Sequence, residues 1–284
     1  MTDLVVWAGP VASFQVKGAT IPGAKELFIG CHGNRPPHCP TIGDQLSYSP
    51  ELLLAKAHMD PANLGQLFMG AFSAGGSTLK RLLSNKAYRD ITTSVHLADA
   101  TYTSHWIDQK NRIPPAIEGF VRYAVDVVEG PGDKLLVATA SPNPNKQWAT
   151  GIENIRAIRD EVEGRTGKQF VNRPDFFGIE PGPTEVWQLG NVFLAPFPGS
   201  PLGHNHPKIA GQVWQKIIHP WLDKGKGLVD EPGGLKQEPG NGPVEPPEQR
   251  PWAFPDIGAG GVVAMLGAAV AGYLAAREVM KRAL

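Results

Sequence analysis

The chain has 284 residues, 42% hydrophobic and 19% charged, which is apolar enough for a sizeable core and excludes general disorder. Its 27 lysines and arginines balance 27 aspartates and glutamates, and no Lys/Arg-rich run stands out, so nucleic-acid binding is not expected. Two cysteines are too few for a disulfide scaffold.

Short apolar runs alternate with helical patterns along the first 224 residues. Runs of four to eight apolar residues between turn residues predict buried strands, and the stretches between them predict helices. This alternation predicts an α/β fold, with a mainly parallel sheet flanked by helices. The predicted strands are 25–30, 65–72, 92–99, 133–140 and 186–197, and the predicted helices are 49–59, 77–85, 116–130, 154–164 and 207–222.

The character of the chain changes after residue 224. Residues 225–256 are rich in proline, glycine and acids, which predicts a linker. Residues 257–276 carry no charge, and a helix of that length spans about 30 Å, so they predict a transmembrane helix, followed by a basic tail at 277–284. A stripe of small residues at every fourth position offers a surface for self-association: Gly260, Ala264, Ala268, Gly272 and Ala276.

The predicted anchor has an alternative, and its orientation is open. An Ala/Gly-rich helix could instead be buried against another subunit. Arg277, Lys281 and Arg282 favour the cytoplasmic side, which would place the large domain outside, yet MTDLVVWAGP at the N-terminus lacks the features of a signal peptide. We therefore expect a chain anchored in the lipid bilayer by one C-terminal helix, without a signal peptide. A membrane enclosed in a virus particle is one setting that would relieve the conflict.

Residues 70–80, GAFSAGGSTLK, place Ser73 between small residues, after a predicted strand and before a predicted helix. A serine nucleophile held on a sharp strand-to-helix turn needs small neighbours, because the backbone is crowded there. A glycine-rich turn that merely contains serines is the alternative. The stretch Ala71-Phe72-Ser73-Ala74-Gly75 resembles the G-x-S-x-G motif of the α/β-hydrolase family, with alanine at the first small position.

The resemblance extends over residues 1–224 and implies further site residues. CHGNRPP, after the strand 25–30, resembles the loop that completes the oxyanion hole, which would then use the N–H groups of Gly33 or Asn34 and of Ala74. GSPLGHNHPK, after the last predicted strand, resembles the histidine loop of these enzymes. It implies His204 as the general base, with His206 as the alternative.

The acid of the implied triad is Asp99. It ends the strand that follows the nucleophile strand, and the next strand runs into ATASPNPN, which offers no carboxylate. A cap of a turn or helix is the alternative role for Asp99. Tyr102, His105 and Trp106 follow it and would line the mouth of a substrate pocket. The order Ser73, Asp99, His204 is the order of the family.

These residues together predict a membrane-tethered serine hydrolase that acts on an ester or an amide and needs no cofactor or metal. One alternative is a catalytically inactive, hydrolase-like structural or binding module in a cell or virion membrane. Another is metal-dependent hydrolysis by Cys31, His32, His38 and Cys39, or by His204 and His206, although the cysteine–histidine stretch lacks the usual zinc spacing.

Overall fold

A computed structural model of the chain describes residues 1–9, 19–30, 38–101, 103–104, 113–141, 148–173, 182–197 and 206–225, some of them at element ends by their backbone alone. The chain divides into two compact units, Met1–Glu231 and Pro232–Leu284, and every described residue belongs to the first. Within these ranges no helix is both long and apolar enough to cross a bilayer. The predicted span at 257–276 and nearly all of the predicted linker lie outside them.

The fold is α/β, as predicted, and is built on an eight-stranded sheet of order β2-β1-β3-β4-β6-β10-β9-β8. The first six strands in that order are parallel, whereas β9 and β8 run antiparallel to their neighbours. Strands β5 and β7 form a separate antiparallel ribbon. The strands are β1 (Thr2–Gly9), β2 (Lys25–Gly30), β3 (Leu64–Phe72), β4 (Thr92–Ala98), β5 (Thr103–Ser104), β6 (Leu135–Ala140), β7 (Trp148–Ala149), β8 (Val171–Asn172), β9 (Trp187–Leu189) and β10 (Val192–Pro196).

Helices follow most of the strands, and they begin and end where the sequence supplies caps. The clearest case is α6, where Thr150 and Glu153 form a capping box and Gly167 ends the helix in a left-handed conformation. The helices are α1 (His38–Leu46), α2 (Pro50–Lys56), α3 (Gly76–Ser84), α4 (Lys86–Ile91), α5 (Ile113–Glu129), α6 (Gly151–Thr166), α7 (His206–Val213) and α8 (His219–Asp223). A π-helical turn, Trp214–Ile218, joins the last two.

The two faces of the sheet are covered by different parts of the chain. One face packs on helices α1 to α6, with Leu79, Phe120 and Ile155 among the fully or almost fully buried side chains. The other face packs on the C-terminal helices and on the segment that leads into β2; the side chains buried there include Trp7, Phe68, Ala19, Trp214 and Trp221. Because the described end of the β1–β2 connection, residues 19–24, and the helices of the later crossovers lie on opposite faces, the parallel part of the sheet is doubly wound.

Several predicted elements need correction. The predicted strand 186–197 is a hairpin, because Gly190 adopts a left-handed φ of 55° and reverses the chain between β9 and β10. The predicted helix 207–222 is interrupted by the π-helical turn. The sequence analysis assigned no element to β1, α1 or α4, and β1 lies inside the sheet between β2 and β3.

Candidate functional site

Three of the candidate site residues, Ser73, Ala74 and Asp99, lie at the edge of the sheet where the parallel strands end. In the register of the sheet, Phe72 pairs with Ala98, and Ala98 pairs with Thr139. Ser73 and Asp99 each come directly after a residue of the first pair, so they are neighbours at this edge, which we call the carboxyl edge. Adjacent strands lie about 4.8 Å apart, which sets the scale of the spacing between the two backbones.

Ser73 also occupies the point where the direction of winding reverses. The connection from β1 to β2 ends on the face that holds Ala19, whereas the connection from β3 to β4 runs through α3 on the opposite face. The winding therefore reverses between β1 and β3, and it is outside the carboxyl ends of strands at such a switch point that open α/β sheets bind ligands. Ser73 follows β3 directly, so it lies at this point.

The turn that carries Ser73 is sharp and strained. Ser73 adopts a φ of 50°, a conformation that non-glycine residues rarely take, and it begins a single 3₁₀ turn, Ser73–Gly75, that runs straight into α3. Ser73 is partly buried and Ala74 is exposed. The Gly76 N–H donates back to the carbonyls of Ser73 and Ala74, which closes the turn.

The glycines after Ser73 are required by close backbone contacts. A Cβ on Gly75 would lie 2.0 Å from the carbonyl oxygen of Ala8 at the end of β1, and one on Gly76 would lie 1.6 Å from that of Ala100 after β4. The turn is thus wedged between the two neighbouring strand ends. Ala71, which replaces the first glycine of the motif, is fully buried in the core, where its methyl group is accommodated.

Asp99 is held by hydrogen bonds to the next strand. It also has a left-handed φ, 48°, and is only 2% exposed. Its backbone N–H donates to the carbonyl of Thr139 at 2.7 Å. Its two carboxylate oxygens accept from Ser141: Oδ1 from the N–H at 3.1 Å and Oδ2 from the hydroxyl at 2.9 Å. The Asp99 carboxylate therefore reaches toward the end of β6, away from the Ser73 strand.

The start of helix α6 closes the surroundings of this carboxylate. Gly151, its first residue, lies so near that a Cβ there would come within 2.9 Å of Asp99 Oδ1, and the Thr101 hydroxyl donates to the Gly151 carbonyl at 3.1 Å. The N-terminal end of a helix carries a partial positive charge, which stabilises a carboxylate beside it. The buried Asp99 side chain thus has hydrogen-bond donors from Ser141 and the start of α6 beside it.

Helix α7 leads into a segment that bonds to β4. Further along the same helical run, the Trp214 indole N–H donates to His96 Nδ1 at 3.1 Å. The run continues toward the amino ends of the strands, where Leu222 and Asp3 line one cavity. Because His206 precedes Trp214 in this run, it lies on the carboxyl side of the contact with His96.

Of the predicted site residues, the structure brings Ser73, Ala74 and Asp99 to one edge of the sheet. His206 begins α7, and its backbone alone is described. The others, Gly33, Asn34, Tyr102, His105, Trp106 and His204, lie outside the described residues, as do Cys31 and His32. Within the part of the chain that the structure describes, no three His, Cys, Asp or Glu side chains are grouped as metal ligands would be.

Sequence reasoning missed Ser141 and His96. Ser141 lies in the segment ATASPNPN, which offers no carboxylate of its own. Only the fold shows that this serine donates to the carboxylate of Asp99. His96 is fully buried in β4 beside Trp7 and Trp214, its ring centroid 5.7 Å from that of Trp7. Burial lowers the pKa of His96 to about 3, so the imidazole is neutral and accepts the Trp214 hydrogen bond. It ties the C-terminal helices to the strand that ends in Asp99.

No protein-family model, no curated protein and no solved structure matches this chain.

Proposed function

We propose that the chain is a serine hydrolase of the α/β-hydrolase type that cleaves an ester or an amide, with Ser73 as its nucleophile. The observation that carries the proposal is the left-handed Ser73 at the switch point, on a one-turn link between β3 and α3. A strained residue persists only where its surroundings fix it, and such residues cluster at active sites. Gly75 and Gly76 allow the close packing that fixes this one.

Asp99 supports the same proposal. It follows the neighbouring strand at the same edge, it is buried, and both of its carboxylate oxygens accept hydrogen bonds from Ser141. The residues from Phe197 to His206 connect the end of β10 with the start of α7. The Phe197 N–H donates to the Ala140 carbonyl at 2.7 Å, so this connection begins at the carboxyl edge. His204 is our choice for the base and His206 is the alternative.

The proposed reaction has two halves, acylation of Ser73 and hydrolysis of the acyl group. The imidazole of His204 removes the Ser73 proton as Oγ attacks the carbonyl carbon, and the N–H groups of Ala74 and of Gly33 or Asn34 hold the resulting oxyanion. Asp99 orients the imidazole and stabilises its charged form. The imidazolium then protonates the departing alcohol or amine, and a water molecule, deprotonated by the same imidazole, releases the acid from Ser73. Tyr102, His105 and Trp106 line the substrate pocket.

Turnover of a p-nitrophenyl ester by the full chain tests this assignment. Ser73→Ala is expected to lower kcat by about 10⁴-fold or more, since removing the nucleophile of a triad has effects of that size. Ser77→Ala is the matched control: it removes another hydroxyl of the same segment, one that donates to the Ala74 carbonyl at 2.8 Å. Equal activity in Ser73→Ala and in the parent would exclude Ser73 as nucleophile.

We further propose that residues 257–276 anchor the enzyme in a bilayer, where lipid esters or components of a cell envelope come within reach. Flotation of the full chain with phosphatidylcholine vesicles, beside Leu266→Arg, tests the anchor. A charge at the centre of a span is unfavourable by about 3 kcal/mol, so the variant should float less. A parent chain that stays with the soluble fraction would contradict the proposal, and equal flotation of parent and variant would show that this segment is not the anchor.

A further inference from the structure

The Ser141 side chain and backbone together enclose the Asp99 carboxylate. The N–H donates to Oδ1 at 3.1 Å and the hydroxyl donates to Oδ2 at 2.9 Å, so one residue binds both oxygens. Ser141 is 8% exposed and Asp99 is 2% exposed, so bulk water has little access to either hydrogen bond. Two donors on two oxygens fix the plane of the carboxylate as well as its position.

The backbone of β4 and β6 prepares this arrangement. Asp99 has a φ of 48° and donates its N–H to the Thr139 carbonyl at 2.7 Å, which aims its side chain at the end of β6. Gly151 leaves room on the Oδ1 side that a Cβ would fill. Each carboxylate oxygen has two lone-pair positions, so it can accept a bond from Ser141 and a second bond at the same time.

We propose that Ser141 is the positioning residue of the triad acid, an inference that rests on the proposed function. Ser141 fixes the direction in which Asp99 meets the imidazole, and its hydroxyl draws charge from the carboxylate. It touches neither Ser73 nor the reacting carbonyl. Loss of the hydroxyl leaves more negative charge on Asp99 for the imidazolium, so the pKa of the base rises.

A purely structural role for the same contact makes a different prediction. If Asp99 and Ser141 only join the ends of β4 and β6, then removing the hydroxyl lowers stability but leaves the pH dependence of catalysis where it was. The acid limb of kcat/KM reports the pKa of the base in the free enzyme, so it separates the two roles.

The experiment compares the full-length parent with Ser141→Ala, Ser141→Thr and Thr101→Val in p-nitrophenyl ester turnover from pH 4 to 9. Ser141→Thr keeps both donors. Thr101→Val is the matched control, because it removes a buried hydroxyl that bonds to the Gly151 carbonyl at 3.1 Å instead of to Asp99. Thermal unfolding of each variant measures stability separately.

We expect Ser141→Ala to lower kcat/KM about tenfold or more, the loss typical of a hydrogen bond to a charged group. Its acid limb should move to higher pH by about 0.5–1 unit. Ser141→Thr should restore the parent profile, and Thr101→Val should leave it unmoved. An active parent whose acid limb is unchanged in Ser141→Ala would overturn this inference alone, whereas a folded parent without turnover would overturn the proposed function and this inference with it.

Discussion

The two edges of the sheet use their buried polar groups differently. At the opposite edge, where the parallel strands begin and which we call the amino edge, Arg89 donates to the Leu83 and Ser84 carbonyls and pairs with Asp126. Tyr88 donates there to two carbonyls near the end of α1. These bonds satisfy the free ends of helices. At the carboxyl edge, Asp99 is held in one orientation by donors that end no helix. The contrast separates groups that stabilise helix ends from the carboxylate to which the proposed function gives the role of triad acid.

Backbone strain follows the same division. Among the described residues, three that are not glycine have a left-handed φ: His58, Ser73 and Asp99. His58 lies just past the end of α2, where the Met59 N–H donates to the Leu54 carbonyl at 2.9 Å, a common way for helices to end. Ser73 and Asp99 follow adjacent parallel strands instead, at the same edge. Neither residue follows the end of a helix, and their strain is consistent with the catalytic roles that we propose for them.

The largest effect is expected from the glycines of the carboxyl edge. Gly75→Ala or Gly76→Ala would place a methyl group within 2.0 or 1.6 Å of a backbone carbonyl, so either change should lower stability by about 3 kcal/mol or more, or prevent folding. Gly164→Ala in α6 is the control, since its Cβ would meet nothing within 4 Å. It should stabilise the chain by about 0.5–1 kcal/mol. Denaturant unfolding measures all three, and wild-type stability in both edge variants would refute the wedged turn.

At the amino edge, a large loss of stability should leave the chemistry intact. Arg89 is 8% exposed, and Arg89→Ala removes a partly buried ion pair and the donors to two helix carbonyls. We expect the free energy of unfolding to fall by about 3 kcal/mol. Lys86→Ala breaks the exposed pair with Asp90 and should cost less than about 0.5 kcal/mol. Turnover of the folded Arg89→Ala protein, measured well below its Tm, should match the parent. A loss of turnover in the folded Arg89→Ala protein would contradict the proposed division between stabilising groups at the amino edge and catalytic groups at the carboxyl edge.

A smaller, pH-dependent effect is expected from His96 between the edges. Its pKa is about 3 in the folded chain and near 6.5 when unfolded, so between these values the unfolded chain binds more protons. Stability contributed by the neutral imidazole is therefore complete above about pH 6.5 and is lost as the pH falls, by up to about 1.4 kcal/mol per unit.

His96→Asn isolates this contribution because it keeps an oxygen that can accept the Trp214 N–H, yet does not titrate. Denaturant unfolding between pH 7 and 4.5 should show a flatter decline of stability in the variant than in the parent. Identical slopes would mean that His96 is protonated within the fold.

The sequence predicted the parts of this molecule that depend on neighbouring residues. The strand, the turn at Ser73 and helix α3 follow from an apolar run, small residues and a helical pattern within twenty positions. The reason for Gly75 and Gly76 is not local, because their contacts are with Ala8 and Ala100. The left-handed backbone of Asp99 could not be predicted from the residues ADAT around it, because an aspartate there is equally compatible with a turn cap.

Two omissions have physical causes of the same kind. Strand β1 is a short apolar run, LVVWA, which resembles other buried strands but was considered only as a possible leader segment. Ser141 can bond to Asp99 only because β4 pairs with β6, which brings position 141 next to position 99. Long-range strand order cannot be read from either segment by itself.

The most direct test of the central claim is to treat the folded, full-length chain with a fluorophosphonate probe and map the adduct by peptide mass spectrometry. An activated serine reacts through its Oγ, displaces fluoride and remains phosphonylated. The account predicts one adduct per chain, on Ser73, and none in Ser73→Ala, while Ser77→Ala reacts like the parent. A folded chain that stays unmodified, or that carries its adduct on another serine, would contradict it.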